Sequence, residues 1–251
     1  MNLRLPPASF DASGAFETCR VEGGKILHLR EHLLRLSASL QTLGVPPVNE
    51  AEIQTELAQA ARAVRTGSVR IAVCREGSPR WLIHRHRGFP YSRRQMKEGI
   101  DLTTVPTRWP AGESAPAKAK GSERLSGILA RLEGKGKPEV LRIGPQGYLT
   151  EGTVSNLFMV KEGILTTPPG WLGVLEGVTR AHVIAAARRL RIPVREIPFT
   201  RHDLFNAEEA FLTNVLMTLL PIRRLDGREI GTRVPGRVTK RLMHAFSEKK
   251  E

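Results

Sequence analysis

The stretch Gly147-Tyr148-Leu149-Thr150-Glu151-Gly152-Thr153-Val154-Ser155-Asn156-Leu157-Phe158 decides how the second half of the chain is read. Residues 148–150 and 156–160 have strand composition, and the Gly152 turn between them leaves Glu151 at a strand end. Further short strands are predicted on both sides, over 139–143 and 164–167, again separated by glycine-containing turns. Such a series is what a meandering sheet or barrel wall requires. Downstream, a helix is predicted over 178–190, strands over 194–197, 210–213 and 219–224, a turn at Asp226-Gly227 and a closing helix over 235–246. Upstream, Leu125, Ile128, Leu129 and Leu132 form the i, i+3, i+4, i+7 stripe of an amphipathic helix that Gly134 ends.

Working further outward, residues 106–121 are rich in Pro, Ala, Gly and Lys and show no periodicity, the mark of a linker. Ahead of it the chain mixes strands and helices. Residues 16–21 and 25–27 read as a hairpin around Glu22-Gly23-Gly24. Leu33, Leu36, Leu40 and Leu43 repeat at helical spacing until Gly44, and a second helix is predicted over 50–64. Strands over 68–74 and 81–84 flank a Gly77-Ser78-Pro79 turn, and residues 100–105 add another. The expected fold is therefore mixed, α+β passing into α/β, in two domains: an N-terminal α+β domain over 1–107, a linker over 108–121 and a barrel-like α/β domain over 122–251.

The 251 residues, 40% hydrophobic and 25% charged, suffice for a full core. No apolar run approaches the roughly 20 residues of a membrane span, and the opening Met1-Asn2-Leu3-Arg4-Leu5 lacks the apolar core of a signal peptide, so a cytoplasmic location with no membrane partner is expected. Cys19 and Cys74 are too few for a disulfide framework and read as reduced, half-buried strand residues; the seven histidines show no metal-binding spacing, and no metal is expected. The net charge of +14 raises the question of nucleic acid. The basic residues are spread along the whole chain and aromatics are only 5%, so stacking platforms are scarce and no nucleic-acid partner is expected. A positive field of this kind suits small polyanionic ligands instead.

Taken singly, the polar residues in these segments are unremarkable; their order is not. Lys120-Gly-Ser-Glu-Arg124-Leu125, the Gly147–Phe158 stretch, Leu175-Glu-Gly177-Val178-Thr179-Arg180, and Ala207-Glu-Glu-Ala-Phe211-Leu-Thr213-Asn214 followed by Pro221 resemble the class IV aminotransferase family, fold type IV of the pyridoxal phosphate enzymes. The N-terminal half agrees: Phe16-Glu17-Thr18-Cys19-Arg20, Gly24-Lys25 and Glu31-His32-Leu33-Leu34-Arg35-Leu36 are similar to the family's opening signatures. The likeness runs from about Phe16 to Gly227. The family usually begins with one more strand ahead of the Phe16 segment, so that edge is expected to be rebuilt or missing.

The resemblance implies pyridoxal 5′-phosphate as cofactor, the two-domain fold of a D-aminotransferase-like enzyme, and a homodimer. A lysine amine must hold the cofactor aldehyde and later move protons as general base and acid. Ala117-Lys118-Ala119-Lys120 offers two, and Lys120 is preferred because it lies four residues before Arg124. A helix dipole and neighbouring cations are expected to favour its neutral form. Glu151 would hold the proton on the pyridine nitrogen, which makes the ring an electron sink. The helix start Gly177-Val178-Thr179 would bind the phosphate through N–H groups and the Thr179 hydroxyl, with Arg35 as the cation. Asn214 and Val215 fall at a further cofactor-binding position, Arg20 and Arg108 are candidates for a substrate carboxylate, and Arg180 is read as a structural partner.

Branched-chain aminotransferases carry a Tyr at the position of Leu125, and the transaminase branches carry a hydroxyl residue at that of Val215. Here neither is present, and Asn214-Val215-Leu216-Met217 is more similar to 4-amino-4-deoxychorismate lyase, which releases pyruvate and 4-aminobenzoate. The alternative is transamination of a branched-chain or D-amino acid with a 2-oxo acid.

Overall fold

The structure, a computed structural model, describes residues 14–75, 81–106, 119–121 and 125–247. Arg108, Lys118, Arg124, the Gly77-Ser78-Pro79 turn and the segment ahead of Gly14 lie outside the described residues, and with them the expectations attached to each. The chain forms two compact units, Met1–Gly88 with Ala119–Arg124, and Phe89–Lys118 with Leu125–Glu251. The division falls at Gly88 rather than near residue 107. Residues 100–105 do form a strand, but its hydrogen bonds tie it to the second unit, whereas Lys120 is bound to the first.

In the first unit, β1 (Ala15–Glu22), β2 (Lys25–Ile26), β3 (Gly67–Val73) and β4 (Trp81–Arg87) make an antiparallel sheet in the order β2-β1-β3-β4. Helices α1 (Leu29–Thr42) and α2 (Glu50–Val64) cover one face. Asn49 starts α2 by accepting the N–H groups of Ala51 and Glu52. Alternation decides what each strand buries: Ala15, Cys19 and Val21 of β1 join Val69, Ile71 and Val73 of β3 against Leu36, Leu40, Ile53 and Leu57. Glu17 occupies an inward position in that apolar row. Cys19 and Cys74, expected half-buried, are both buried, and neither is in a disulfide.

In the second unit, the elements are α3 (Arg93–Glu98), β5 (Ile100–Thr104), α4 (Leu125–Glu133), β6 (Val140–Leu141), β7 (Asn156–Lys161), β8 (Ile164–Thr167), a 3-10 turn (Gly170–Leu172), α5 (Val178–Arg189), β9 (Val194–Glu196), α6 (Arg201–Phe205), β10 (Glu209–Thr213), β11 (Leu220–Leu225), β12 (Arg228–Glu229) and α7 (Arg237–Ser247). The strands form one mixed sheet, β6-β5-β11-β10-β7-β8-β9, with β12 on β11. Both faces of its centre are buried. Phe158 and Phe211 are register partners whose rings stack 5.1 Å apart on the face that α5 and α7 cover, while Leu157, Met159 and Leu212 pack with Phe199 and Leu204 on the other. An aromatic pair of this kind adds about 1 kcal/mol beyond its buried area.

Two expectations change here. Residues 148–150 are not a strand; Leu149 makes one bridge to Ile143, because the 147–151 segment turns back on Arg142 rather than joining the ladder. Two short helices, α3 and α6, escaped the periodicity reading because each is barely more than a turn. Both carry capping boxes, Ser92 with Gln95 and Thr200 with Asp203.

Candidate active site

In the first unit, the site begins with a carboxylate. Glu17 points inward from β1 and is 1% exposed. Two residues one turn apart on α1 face it: Arg35 donates from Nε to Oε1 at 2.6 Å and from Nη2 to Oε2 at 2.8 Å, and His32 Nδ1 lies 2.8 Å from Oε2. An ionised carboxylate only accepts, so His32 donates from Nδ1. Burial pushes the Glu17 carboxyl upward, but the Lys120 charge and the hydrogen bonds from His32 and Arg35 outweigh it and hold it well below the usual carboxylate range. Burial lowers the His32 pKa against the pull of Glu17, so the ring stays neutral.

Lys120 joins this cluster. Its Nζ lies 3.7 Å from Glu17 Oε2 and 5.2 Å from the centre of the Phe16 ring, with the side chain 17% exposed. The backbone on either side is tied down: Lys120 N–H donates to Ser39 Oγ of α1, and its carbonyl accepts from Phe16 N–H of β1. Glu17 is thus the shared anionic partner of Lys120 and of the neighbouring cation Arg35. On β1, Arg20 donates to Glu22 at 2.6 Å, and across the sheet Arg70 lies 4.0 Å over the Phe16 ring.

The second unit holds a separate cluster around Glu151. Asn156 Nδ2 and Leu175 N–H both donate to its Oε2, at 2.8 and 3.1 Å, and Arg142 Nη2 lies 3.7 Å from Oε1. Burial dominates and raises the Glu151 pKa to about 7, against the opposing pull of Arg142 and the Leu175 N–H. Burial also draws Arg142 down to about 10, which leaves it cationic at neutral pH. The turn after Glu151 is clamped by the buried carboxylate of Glu139, which accepts from Thr153 N–H and hydroxyl, Val154 N–H and Ser155 hydroxyl.

Helix α5 begins beside this cluster, its first residues Val178 buried and Thr179 half-buried. Gly177 at the N-cap supplies no side-chain cap to the opening N–H groups. An uncapped helix start of this length is the donor set that a phosphate takes. Arg180 donates to the Pro168 carbonyl and to Glu196, the structural duty expected of it. Asn214 closes its own turn, its Oδ1 accepting from Leu216 and Met217 N–H, while its Nδ2 reaches the Val154 carbonyl; Val215 adds no hydroxyl to that turn.

Residues 14–225 match the sequence profile of amino-transferase class IV. The chain belongs to the class IV aminotransferase family. A Methanocaldococcus jannaschii protein, provisionally named a branched-chain-amino-acid aminotransferase, is 32% identical over 249 residues, covering 94% of this chain and 86% of the relative. Among solved structures, 4-amino-4-deoxychorismate lyase from Pseudomonas aeruginosa is similar with a TM-score of 0.86 at 25% identity, covering 100% of this chain and 95% of that one. A branched-chain amino acid aminotransferase from T.th., solved with pyridoxamine 5′-phosphate, is similar with a TM-score of 0.83 at 26% identity, covering 95% and 85%. The family is pyridoxal phosphate dependent, its members are aminotransferases or lyases, and the fold is that of the fold type IV enzymes.

Among the residues singled out from sequence, Lys120, Arg35 and Arg20 lie in the first unit; Glu151, Val178, Thr179, Asn214 and Val215 lie in the second. Glu17, His32, Asn156, Arg142 and Glu139 were missed. A weak signal existed for two of them: Glu17 interrupts an inward apolar row, and His32 shares a helix face with Arg35. For Glu139, Arg142 and Asn156 the meaning lies in partners that fold back from elsewhere in the sequence.

Proposed function

We propose that the chain uses pyridoxal 5′-phosphate to convert 4-amino-4-deoxychorismate into pyruvate and 4-aminobenzoate. When bound, the cofactor supplies an electron sink for charge left on the substrate. Lys120 would hold the cofactor aldehyde on its amine, and would then take the proton from the amine-bearing ring carbon of the substrate and give one to the methylene of the departing enolpyruvyl group, which leaves as pyruvate. Glu151 holds the proton on the pyridine nitrogen. The N–H groups of Val178 and Thr179, the Thr179 hydroxyl and the Arg35 guanidinium bind the phosphate, with Glu17 orienting Arg35; Asn214 and the Val215 main chain border it. Arg20 and Arg108 are the candidates to receive substrate carboxylates, Arg20 exchanging its Glu22 partner to do so.

The observation that carries the cofactor reading lies within the second unit: a buried carboxylate with one oxygen committed to fixed donors, beside a helix start with no side-chain cap. The observation that favours the lyase is the Asn214–Thr218 turn, where Val215 offers no hydroxyl. A transaminase must hold the amine form of its cofactor without a bond to lysine through half of each turnover, and a missing phosphate contact weakens that hold by about 1 kcal/mol. A lyase has no such stage. The second reading, a branched-chain or D-amino acid transaminase, is favoured by the similarity to the Methanocaldococcus jannaschii protein. In either case we infer a cytoplasmic homodimer; among the described residues no helix is long and apolar enough to cross a membrane.

Borohydride treatment of the purified protein followed by peptide mapping should place the cofactor label on Lys120. A label on Lys118 would move the assignment, and no label would end it. Incubation with aminodeoxychorismate should release 4-aminobenzoate and pyruvate without an oxo-acid acceptor. Rapid conversion to the pyridoxamine spectrum by a panel amino acid, with no 4-aminobenzoate formed, would select the transaminase.

A further inference from the structure

Asn156 opens β7 with a buried side chain. Its Nδ2 donates to Glu151 Oε2 and to the Leu175 carbonyl, both at 2.8 Å. A carbonyl oxygen cannot donate, so the amide nitrogen must face this way. Because Leu175 N–H also donates to Oε2, that oxygen receives two donors, and a proton placed on it would point at them. Oε1 instead faces Arg142 Nη2 at 3.7 Å, too long for a hydrogen bond. On the far side of the amide, a Cβ built on Gly177 would lie 2.2 Å from Asn156 Oδ1. Gly177 has φ −66°, an angle open to any residue, so glycine is needed there for room rather than for backbone freedom.

We propose that Asn156 is the positioning residue for Glu151: it commits Oε2 to the fold and leaves Oε1 as the oxygen that exchanges a proton with the cofactor's ring nitrogen, and Gly177 provides its clearance. The role at the ring nitrogen rests on the cofactor reading above; the placement of the proton on Oε1 is a property of the chain alone. The charged groups that act on this carboxylate are Arg142, Glu139 and Arg180. Loss of the Asn156 donor removes a hydrogen bond that only the ionised acceptor receives at full strength, so Glu151 should bind its proton more tightly.

The test compares urea unfolding of the full-length, cofactor-stripped chain across pH for wild type, Glu151→Gln, Asn156→Ala and the double variant. The difference between wild type and Glu151→Gln isolates the Glu151 titration. In the Asn156→Ala background its midpoint should rise by about one pH, a tenfold gain in proton affinity. A structural Asn156 would lower stability equally at every pH and leave the midpoint in place, which would overturn the proposal. If Asn156→Ala does not fold, Gly177→Ala displaces the amide without removing it and should raise the midpoint too; an unmoved midpoint there has the same adverse meaning. For the ring nitrogen, Asn156→Ala should weaken pyridoxal phosphate about tenfold and leave 1-deazapyridoxal phosphate, which has carbon in place of that nitrogen, unchanged. Equal losses for both would remove the role at the ring. A missing borohydride label on Lys120 would refute the cofactor reading, while the unfolding midpoint would still decide what Asn156 does to Glu151.

Discussion

Glu17 and Arg35 form a two-point ion pair, Nε to Oε1 at 2.6 Å and Nη2 to Oε2 at 2.8 Å, with the carboxylate buried between β1 and α1. The same carboxylate accepts from His32 and faces Lys120, so one acid neutralises the cations gathered at the proposed cofactor lysine.

Replacing Glu17 with Gln should therefore destabilise the protein by about 3 kcal/mol, because breaking a buried pair strands its partners. Native Glu17 binds its proton more weakly than the unfolded chain does near pH 4.5, so its contribution is present above that pH and is lost as pH falls. Native His32 likewise resists protonation, and its contribution is lost as pH falls below 6.5. Urea unfolding between pH 2 and 5, below the range in which unfolded His32 takes up its proton, should show a smaller acid-induced loss in Glu17→Gln than in wild type. Parallel profiles would contradict the charge assignment.

Glu151 works in the opposite direction. Its native pKa of about 7 lies above the usual 4.5, so the folded chain binds the proton more tightly and stability falls as pH rises from 4.5 to 7. The full difference is about 3 kcal/mol. Glu151→Gln should abolish this slope in the cofactor-free chain. In the loaded enzyme the neutral amide cannot hold the ring nitrogen protonated, and turnover should drop about a hundredfold. Near-normal turnover would sink the role given to Glu151.

Glu209 caps α7 from the sheet, accepting Val238 and Thr239 N–H at 2.8 Å each. Glu209→Ala should cost about 2 kcal/mol and speed amide exchange in the first turn of α7 before it does so elsewhere. Uniform acceleration would mean that the cap acts on the whole second unit.

Sedimentation at micromolar concentration should show a dimer. A species of 27.8 kDa alone would reject it.

Much of the local structure was legible because it depends on neighbours in sequence. The stripe Leu33, Leu36 and Leu40 specified α1, a second helix was read over 50–64 where α2 lies, and the order of the Lys120, Glu151 and Gly177 motifs carried the family. Periodicity could not decide which sheet a strand joins: residues 100–104 read as a strand of the first half, yet pair in parallel with β11 and β6, since strand pairing depends on edges that meet only in three dimensions. The same limit governed the site. A lone Glu or Asn carries no sign of its partners, and burial sets the charge. Glu17 is held ionised by His32, Arg35 and Lys120, whereas Glu151, whose desolvation outweighs the pull of Arg142, retains its proton up to about pH 7. Sequence by itself determined the longer elements and the family; tertiary structure alone decided the partners and charge states of the motif residues, because desolvation and ion pairing depend on distances that chain order does not contain.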